Sequence, residues 1–157
     1  MTTKTGNLAG LDWTRGPELT PAARDLLEAR NFVVVSTLRA DGSIHAIPVW
    51  VDTDGTDVLL NSVVGRAWDR NLVRDPNVTC TVVDSTNGYA FVEIRGTVVE
   101  RSVEKGEAHI HRLAKKYLDL DEYPFLRPED PRVLYRVRPV SVFHMQPSTA
   151  TYDTEGA

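Results

Sequence analysis

The chain has 157 residues, 41% of them hydrophobic and 25% charged, with 18 basic and 22 acidic side chains for a net charge of −4. That length suits one domain with a core of its own, and the acidic balance offers no global field for nucleic acid or an anionic membrane. A single cysteine, Cys80, excludes an intrachain disulfide and a cysteine-based zinc site. No apolar run approaches the ~20 residues of a membrane span, and the polar start Met1–Asn7 has no signal-type apolar segment. We therefore expect a cytoplasmic protein.

Residues 1–16 carry isolated Leu8, Leu11 and Trp13 without a period, and are expected to form a loosely docked tail. Thr20-Pro21 is a helix start, a hydroxyl N-cap before proline at the first helical position, and the helix should run to about Arg30. Phe32–Leu38 is β-branched and unpunctuated, as a strand covered on both faces is. Asp41-Gly42 then turns the chain into a strand over Ser43–Val51, and Asp54-Gly55 into another over Asp57–Ser62. Two such turns predict a three-strand antiparallel meander. Pro48 has no N–H to donate, so its strand belongs at an edge or a bulge.

Asn61–Val78 follows, with Gly65, three arginines four residues apart, and the stop Asp75-Pro76. On a helix, Arg66, Arg70 and Arg74 share one stripe while Trp68 and Leu72 face the other way. That stripe reads either as a solvated surface or as an anion site completed by Ser62 and the first helical N–H groups. Beyond it the sequence predicts strands at Val78–Val83 and Tyr89–Glu100, joined by a turn at Ser85–Gly88. Ser102 caps a helix to about Leu120, a proline-rich loop spans Pro124–Pro131, and a last strand over Val133–His144 is broken by Pro139. The tail from Pro147 is polar. The expected fold is α+β, a mainly antiparallel six-stranded barrel over residues 17–146 with flanking helices, set between tails at 1–16 and 147–157.

Several chemistries have no support. Gly-x-Gly-x-x-Gly, a phosphate loop and a Gly-x-Ser-x-Gly elbow are all missing from the sequence. His109 and His111 stand two apart on a predicted helix and so diverge, which argues against a metal pair. Each histidine is expected at the surface or satisfied. With few catalytic side chains, an enzyme of this kind draws its chemistry from a bound cofactor.

The sequence Asp41-Gly42-x-x-His45-x-x-Pro48-Val49-Trp50, then Asp54-Gly55, then Gly65-Arg66-x-x-x-Arg70-Asn71-Leu72-x-x-Asp75-Pro76-x-Val78 resembles the pyridoxamine 5'-phosphate oxidase-like split β-barrel proteins. Within them it is most similar to the actinobacterial flavin/deazaflavin oxidoreductases, a likeness running from about Pro21 to His144. The resemblance implies an FMN-binding split barrel, a homodimer with a cofactor site at the subunit interface, and hydride transfer from reduced coenzyme F-420 to an electrophilic small molecule such as a quinone, tetrapyrrole or enone. FMN is the alternative cofactor, and an FMN-dependent oxidase or reductase or a non-catalytic carrier are the competing roles. Carried over by position, Ala46, Ile47, Pro48, Val49 and Trp50 lie against the cofactor ring with Asn61 and Ser62 beside it. Arg66, Arg70 and Asn71 meet its anionic end, and Asn87, Gly88 and Tyr89 approach from the partner subunit or cap the pocket. Trp68 belongs to the same set but stands where this branch usually carries a lysine. The resemblance names no catalytic side chain and implies no metal.

Overall fold

The computed structural model describes residues 1–148; the predicted tail beyond Ser148 lies outside them. In chain order the elements are β1 (Lys4–Leu8), β2 (Leu11–Gly16), α1 (Pro21–Glu28), β3 (Phe32–Leu38), β4 (Ile44–Trp50), β5 (Asp52–Thr53), β6 (Val58–Val63), α2 (Ala67–Arg74), β7 (Asn77–Asp84), β8 (Asn87–Ser102), α3 (Gly106–Leu118) and β9 (Arg132–Pro147). The strands form one antiparallel sheet of nine rather than six, ordered β1-β2-β9-β8-β7-β3-β4, with β6 on β9 and β5 on β6.

β9 is the spine of this sheet. Its first half pairs with β6, its second half with β2, and β8 runs along nearly all of it. Pro139 does not break the strand as expected. Gly96 pairs with Pro139 and Arg95 with Ser141, so the residue between them is absorbed as a bulge.

The tail expected over residues 1–16 is instead a β-hairpin docked on β9. Its two-residue turn has Ala9 at φ 51° and Gly10 at φ 81°, positive angles that suit the twist of flanking strands. The predicted three-strand meander is also corrected. β4 pairs with β3, but β5, not β4, pairs with β6, so β4 and β6 are not hydrogen-bonded and the barrel stays open between them. The cause lies at Val51, whose N–H donates to Tyr117 Oη (3.1 Å) and whose C=O accepts from Lys116 Nζ (2.6 Å). A helix takes the groups that a neighbouring strand would use.

Local expectations hold where the signal is local. Thr20 Oγ1 accepts from Ala23 N at 3.1 Å, and Gly42, Gly55 and Gly65 sit at φ 83°, 93° and 87°. α3 starts at Gly106 rather than just after Ser102, because Ser102 Oγ accepts from Lys105 N and so caps the turn before the helix. Inside the barrel Val33, Val35, Cys80, Val82, Val92 and Ile94 interleave with Leu60 and Tyr135, and α1 and α2 close it with Leu27, Trp68 and Leu72. Each such side chain withdrawn from water contributes roughly 1.5–3 kcal/mol. Cys80 is part of this packing, and burial pushes its thiol up to about 12.

Candidate functional site

The open seam between β4 and β6 forms a groove. A cavity of about 220 Å³ there is lined by Phe32, Pro48, Val49, Trp50, Asn61, Arg66, Ile110, Leu113, Tyr123 and Arg132. β4 contributes one wall as the edge of the sheet, so its backbone groups directed away from β3 have no strand to pair with. Asn61 on β6 and Arg66 at the start of α2 form the other wall.

α3 spans the seam and sets its width. At its start, Asn61 Nδ2 donates to Gly106 O at 2.9 Å and to His109 Nδ1 at 3.2 Å. At its end, Lys116 Nζ donates to Leu27 O (2.5 Å) and Val51 O, and Tyr117 Oη donates to Asn31 O (2.5 Å). Burial pushes Lys116 down to about 8 and Tyr117 up to about 12. Between these ends Asp52 Oδ2 meets Arg112 Nη2 at 3.3 Å and lies 3.8 Å from His109 Nε2. Burial pushes the Asp52 carboxyl up, but His109, the Thr53 N–H and Arg112 together hold it below the usual carboxylate range.

Aromatic rings border the cavity. Trp50 stacks on Tyr117 with centroids 5.0 Å apart and 3° between planes, and meets Tyr123 edge-on at 6.0 Å. Arg132 lies 4.6 Å over the Tyr123 ring. His111 fixes this corner by accepting from Tyr123 N at 2.9 Å, so it is a satisfied histidine, as the sequence reading expected.

The arginine stripe divides by role. Arg66 is exposed and lines the groove. Arg70 Nη1 donates to Gly65 O at 2.7 Å, and Arg74 donates to Leu38 O and, at 3.1 Å, to Asn71 Oδ1. Gly65 is held from its other side as well, its N–H donating to Asp69 Oδ2 at 2.8 Å. Asp69 is buried and takes both Nε and Nη2 of Arg101 at 3.0 Å together with the hydroxyl of Tyr135. The turn that presents Arg66 is thereby clamped by groups from α2, β8 and β9.

Of the residues expected at the cofactor, Pro48, Val49, Trp50, Asn61 and Arg66 line one cavity. Ala46 is exposed on the β4 edge and Ile47 packs against the core. Ser62 is buried, and Asn71 is buried with its Nδ2 on Thr37 Oγ1 at 3.0 Å. Trp68 is 2% exposed and its ring lies 5.7 Å from that of Tyr135, so it is a core residue and leaves the groove without a cation at that position. Asn87, Gly88 and Tyr89 stand exposed on the β7–β8 hairpin, outside this cavity. Sequence reasoning missed Arg132, which lines the groove from β9, and His109, which holds Asn61 from α3. The long-range pairing of β6 with β9 brings Arg132 there, and the bonds from Asn61 to Gly106 O and His109 Nδ1 bring α3.

Comparison with known proteins agrees with this geometry. The family model for pyridoxamine 5'-phosphate oxidase matches residues 19–146. Among solved structures, an F-420 reductase is 28% identical with a TM-score of 0.67, covering 76% of this chain and 94% of that one. Two further structures share the fold. A conserved hypothetical protein from Mycobacterium tuberculosis is 18% identical with a TM-score of 0.62, covering 88% of this chain and 95% of that one. General Stress Protein 26 from Bacillus anthracis is 16% identical with a TM-score of 0.58, covering 79% and 91%. No curated protein matches the chain. An open antiparallel barrel, matched by one family model over residues 19–146, places this chain in the pyridoxamine 5'-phosphate oxidase family, among flavin and deazaflavin oxidoreductases.

Proposed function

We propose that the protein is an F-420-dependent reductase that acts on an electrophilic small molecule, with its cofactor held in the seam between β4 and β6. The observation that carries this reading is the convergence of the β4 edge, Asn61 and Arg66 on one cavity. The residues suit a deazaflavin. An edge strand offers backbone groups to a heterocyclic ring, the aromatic border of Trp50 and Tyr123 offers apolar contact, and Arg66 offers a cation to a phosphate. Reduced F-420, when bound, supplies a hydride. The chain's part is to hold the ring flat, exclude water and fix the anionic end.

A cavity of about 220 Å³ falls below the roughly 300–1,000 Å³ of complete small-molecule sites, which supports a second wall from a partner subunit. The outer face of β3, β4, β7 and β8 suits that partner. It exposes Phe32, Leu38 and Ile44, its pair of opposite charges, Glu93 and Arg95, lie 3.3 Å apart, and a second cavity of about 360 Å³ indents it. The protein should sediment at twice the chain mass. Ile44→Asp should give a monomer that no longer binds F-420; a variant that stays dimeric would move the interface elsewhere.

FMN is the second reading. With Trp68 in the core and Arg70 and Arg74 bonded to the chain itself, Arg66 is left as the stripe's cation at the groove, with Arg132 of β9 in the same lining, and so few cations suit a short phosphate as well as a longer acidic tail. Parallel titration with F-420 and FMN separates the two. Arg66→Ala should weaken binding of the preferred cofactor by about 1.5–3 kcal/mol, the loss of a charge-assisted contact. An unchanged curve would remove Arg66 from the site.

A further inference from the structure

Among the described residues four buried side-chain atoms lack a hydrogen-bond partner: Arg24 Nε, His45 Nδ1, Asn61 Oδ1 and His109 Nε2. Two of the four belong to one bonded pair in the wall of the groove. Buried polar groups are nearly always paired, so two orphans in one pair call for an explanation.

The polarity of that pair follows from its partners. Gly106 O can only accept, so the Asn61 group 2.9 Å from it must be the amide nitrogen. The same nitrogen faces His109 Nδ1 at 3.2 Å, and that ring atom must therefore accept. His109 then carries its proton on Nε2, directed toward the Asp52 carboxylate at 3.8 Å. Both amide hydrogens of Asn61 are committed inward, and the only hydrogen-bonding atom it retains is Oδ1, an acceptor that is unpartnered and closed to water.

We infer that His109, set by Asp52, is a positioning residue that fixes the Asn61 amide with its oxygen free, so that the groove selects a ligand presenting an N–H to Asn61 Oδ1. This rests on the deazaflavin or flavin reading of the site and deepens it: the matching group is the imide N–H of the ring's pyrimidinedione, which supplies the donor that Oδ1 lacks. The bond is a recognition contact, with no covalent or redox step. His109 touches no ligand and acts through Asn61.

Two measurements test this. Nitrogen NMR of the ligand-free, full-length protein should show His109 protonated at Nε2 and bare at Nδ1; the opposite tautomer overturns the inference whatever the protein binds. Equilibrium titration with 5-deazariboflavin 5'-phosphate and its 3-methyl derivative should give at least tenfold weaker binding of the methylated ring. Asn61→Leu should abolish that preference, His109→Leu should reduce it several-fold, and His109→Asn, which returns an acceptor near the Nδ1 position, should restore it. Wild-type protein binding both rings equally, or His109→Leu keeping the full preference while folded, overturns the inference. If neither ring binds wild type while the Nε2 tautomer is seen, it is the cofactor reading that fails, and the Asn61 polarity stands without its ligand.

Discussion

Replacing Asp69 with Ala should lower the unfolding free energy by about 2–4 kcal/mol, read from urea denaturation. Removing one partner of a buried pair typically costs 3–5 kcal/mol, and we place the figure lower because the Arg101 side chain is 31% exposed and recovers part of its hydration. The carboxylate receives three groups at once, the Arg101 fork, the Tyr135 hydroxyl and the Gly65 N–H, so its loss strands donors from β8, β9 and the turn together. Burial pushes the Asp69 carboxyl up, but Arg101, Tyr135 and the Gly65 N–H hold it below the usual carboxylate range. A carboxyl depressed in the folded state stabilises fully above its unfolded pKa and loses that contribution as pH falls through the folded one. The gap between wild type and Asp69→Asn should therefore be full at neutral pH and shrink in acid. Cofactor affinity should fall as well, because Gly65 presents Arg66. A cost under 1 kcal/mol would mean that the clamp is decorative.

Gly106→Ala should be about as damaging, near 3 kcal/mol, the upper end of what overpacking costs, with a fall in Tm of roughly 6–12 °C for a chain of this size. A Cβ at Gly106 would lie 2.2 Å from Arg132 O, 2.3 Å from Arg132 C and 2.6 Å from Val133 N. All three are backbone atoms of β9 and cannot rotate aside. α3 must lift from the sheet, carrying Ile110 and Leu113 out of the groove and breaking the bond from Asn61 to Gly106 O. Gly65→Ala is the useful contrast. Nothing lies within 4 Å of a Cβ there, and only its φ of 87° is unfavourable, so the expected cost is about 1–2 kcal/mol. Thermal melts of the two variants side by side check the ranking; equal melting points would show that α3 rides freely on β9.

What the sequence disclosed were features that neighbouring residues decide. Thr20-Pro21, the two Asp-Gly turns and the apolar face of α2 each depend on a few adjacent side chains, and each stands as expected; Phe32–Leu38 is the expected strand, but it is buried on one face only, with Phe32 and Leu38 exposed on the other. The N-terminal hairpin escaped because its turn is Ala9-Gly10, and alanine at positive φ lacks the Asn-Gly or Asp-Gly signature. The open seam escaped because it depends on what α3 does to Val51, 66 residues from Tyr117. The candidate site was half visible. Pro48, Trp50, Asn61 and Arg66 come from one continuous stretch with recognisable turns. Asp69 with Arg101 and Asn61 with His109 are separated by 32 and 48 residues, and no local pattern marks them. The departure at Trp68 was legible as a question, and its burial beside Tyr135 answers it in favour of packing.

The position of β9 bears on how the chain is made. It supplies partners to β2, β6 and β8, yet among the described strands it is the last in chain order, and the hairpin at residues 4–16 closes onto residues 142–147. Such distant pairings make folding slow. A nascent chain ending before Arg132 exposes unpaired edges on β2, β6 and β8 simultaneously, a state prone to aggregation. Folding of this sheet is therefore largely postponed until β9 has been synthesised, and the yield of native protein should depend on chaperone capacity during that interval more than on the stability of the finished barrel.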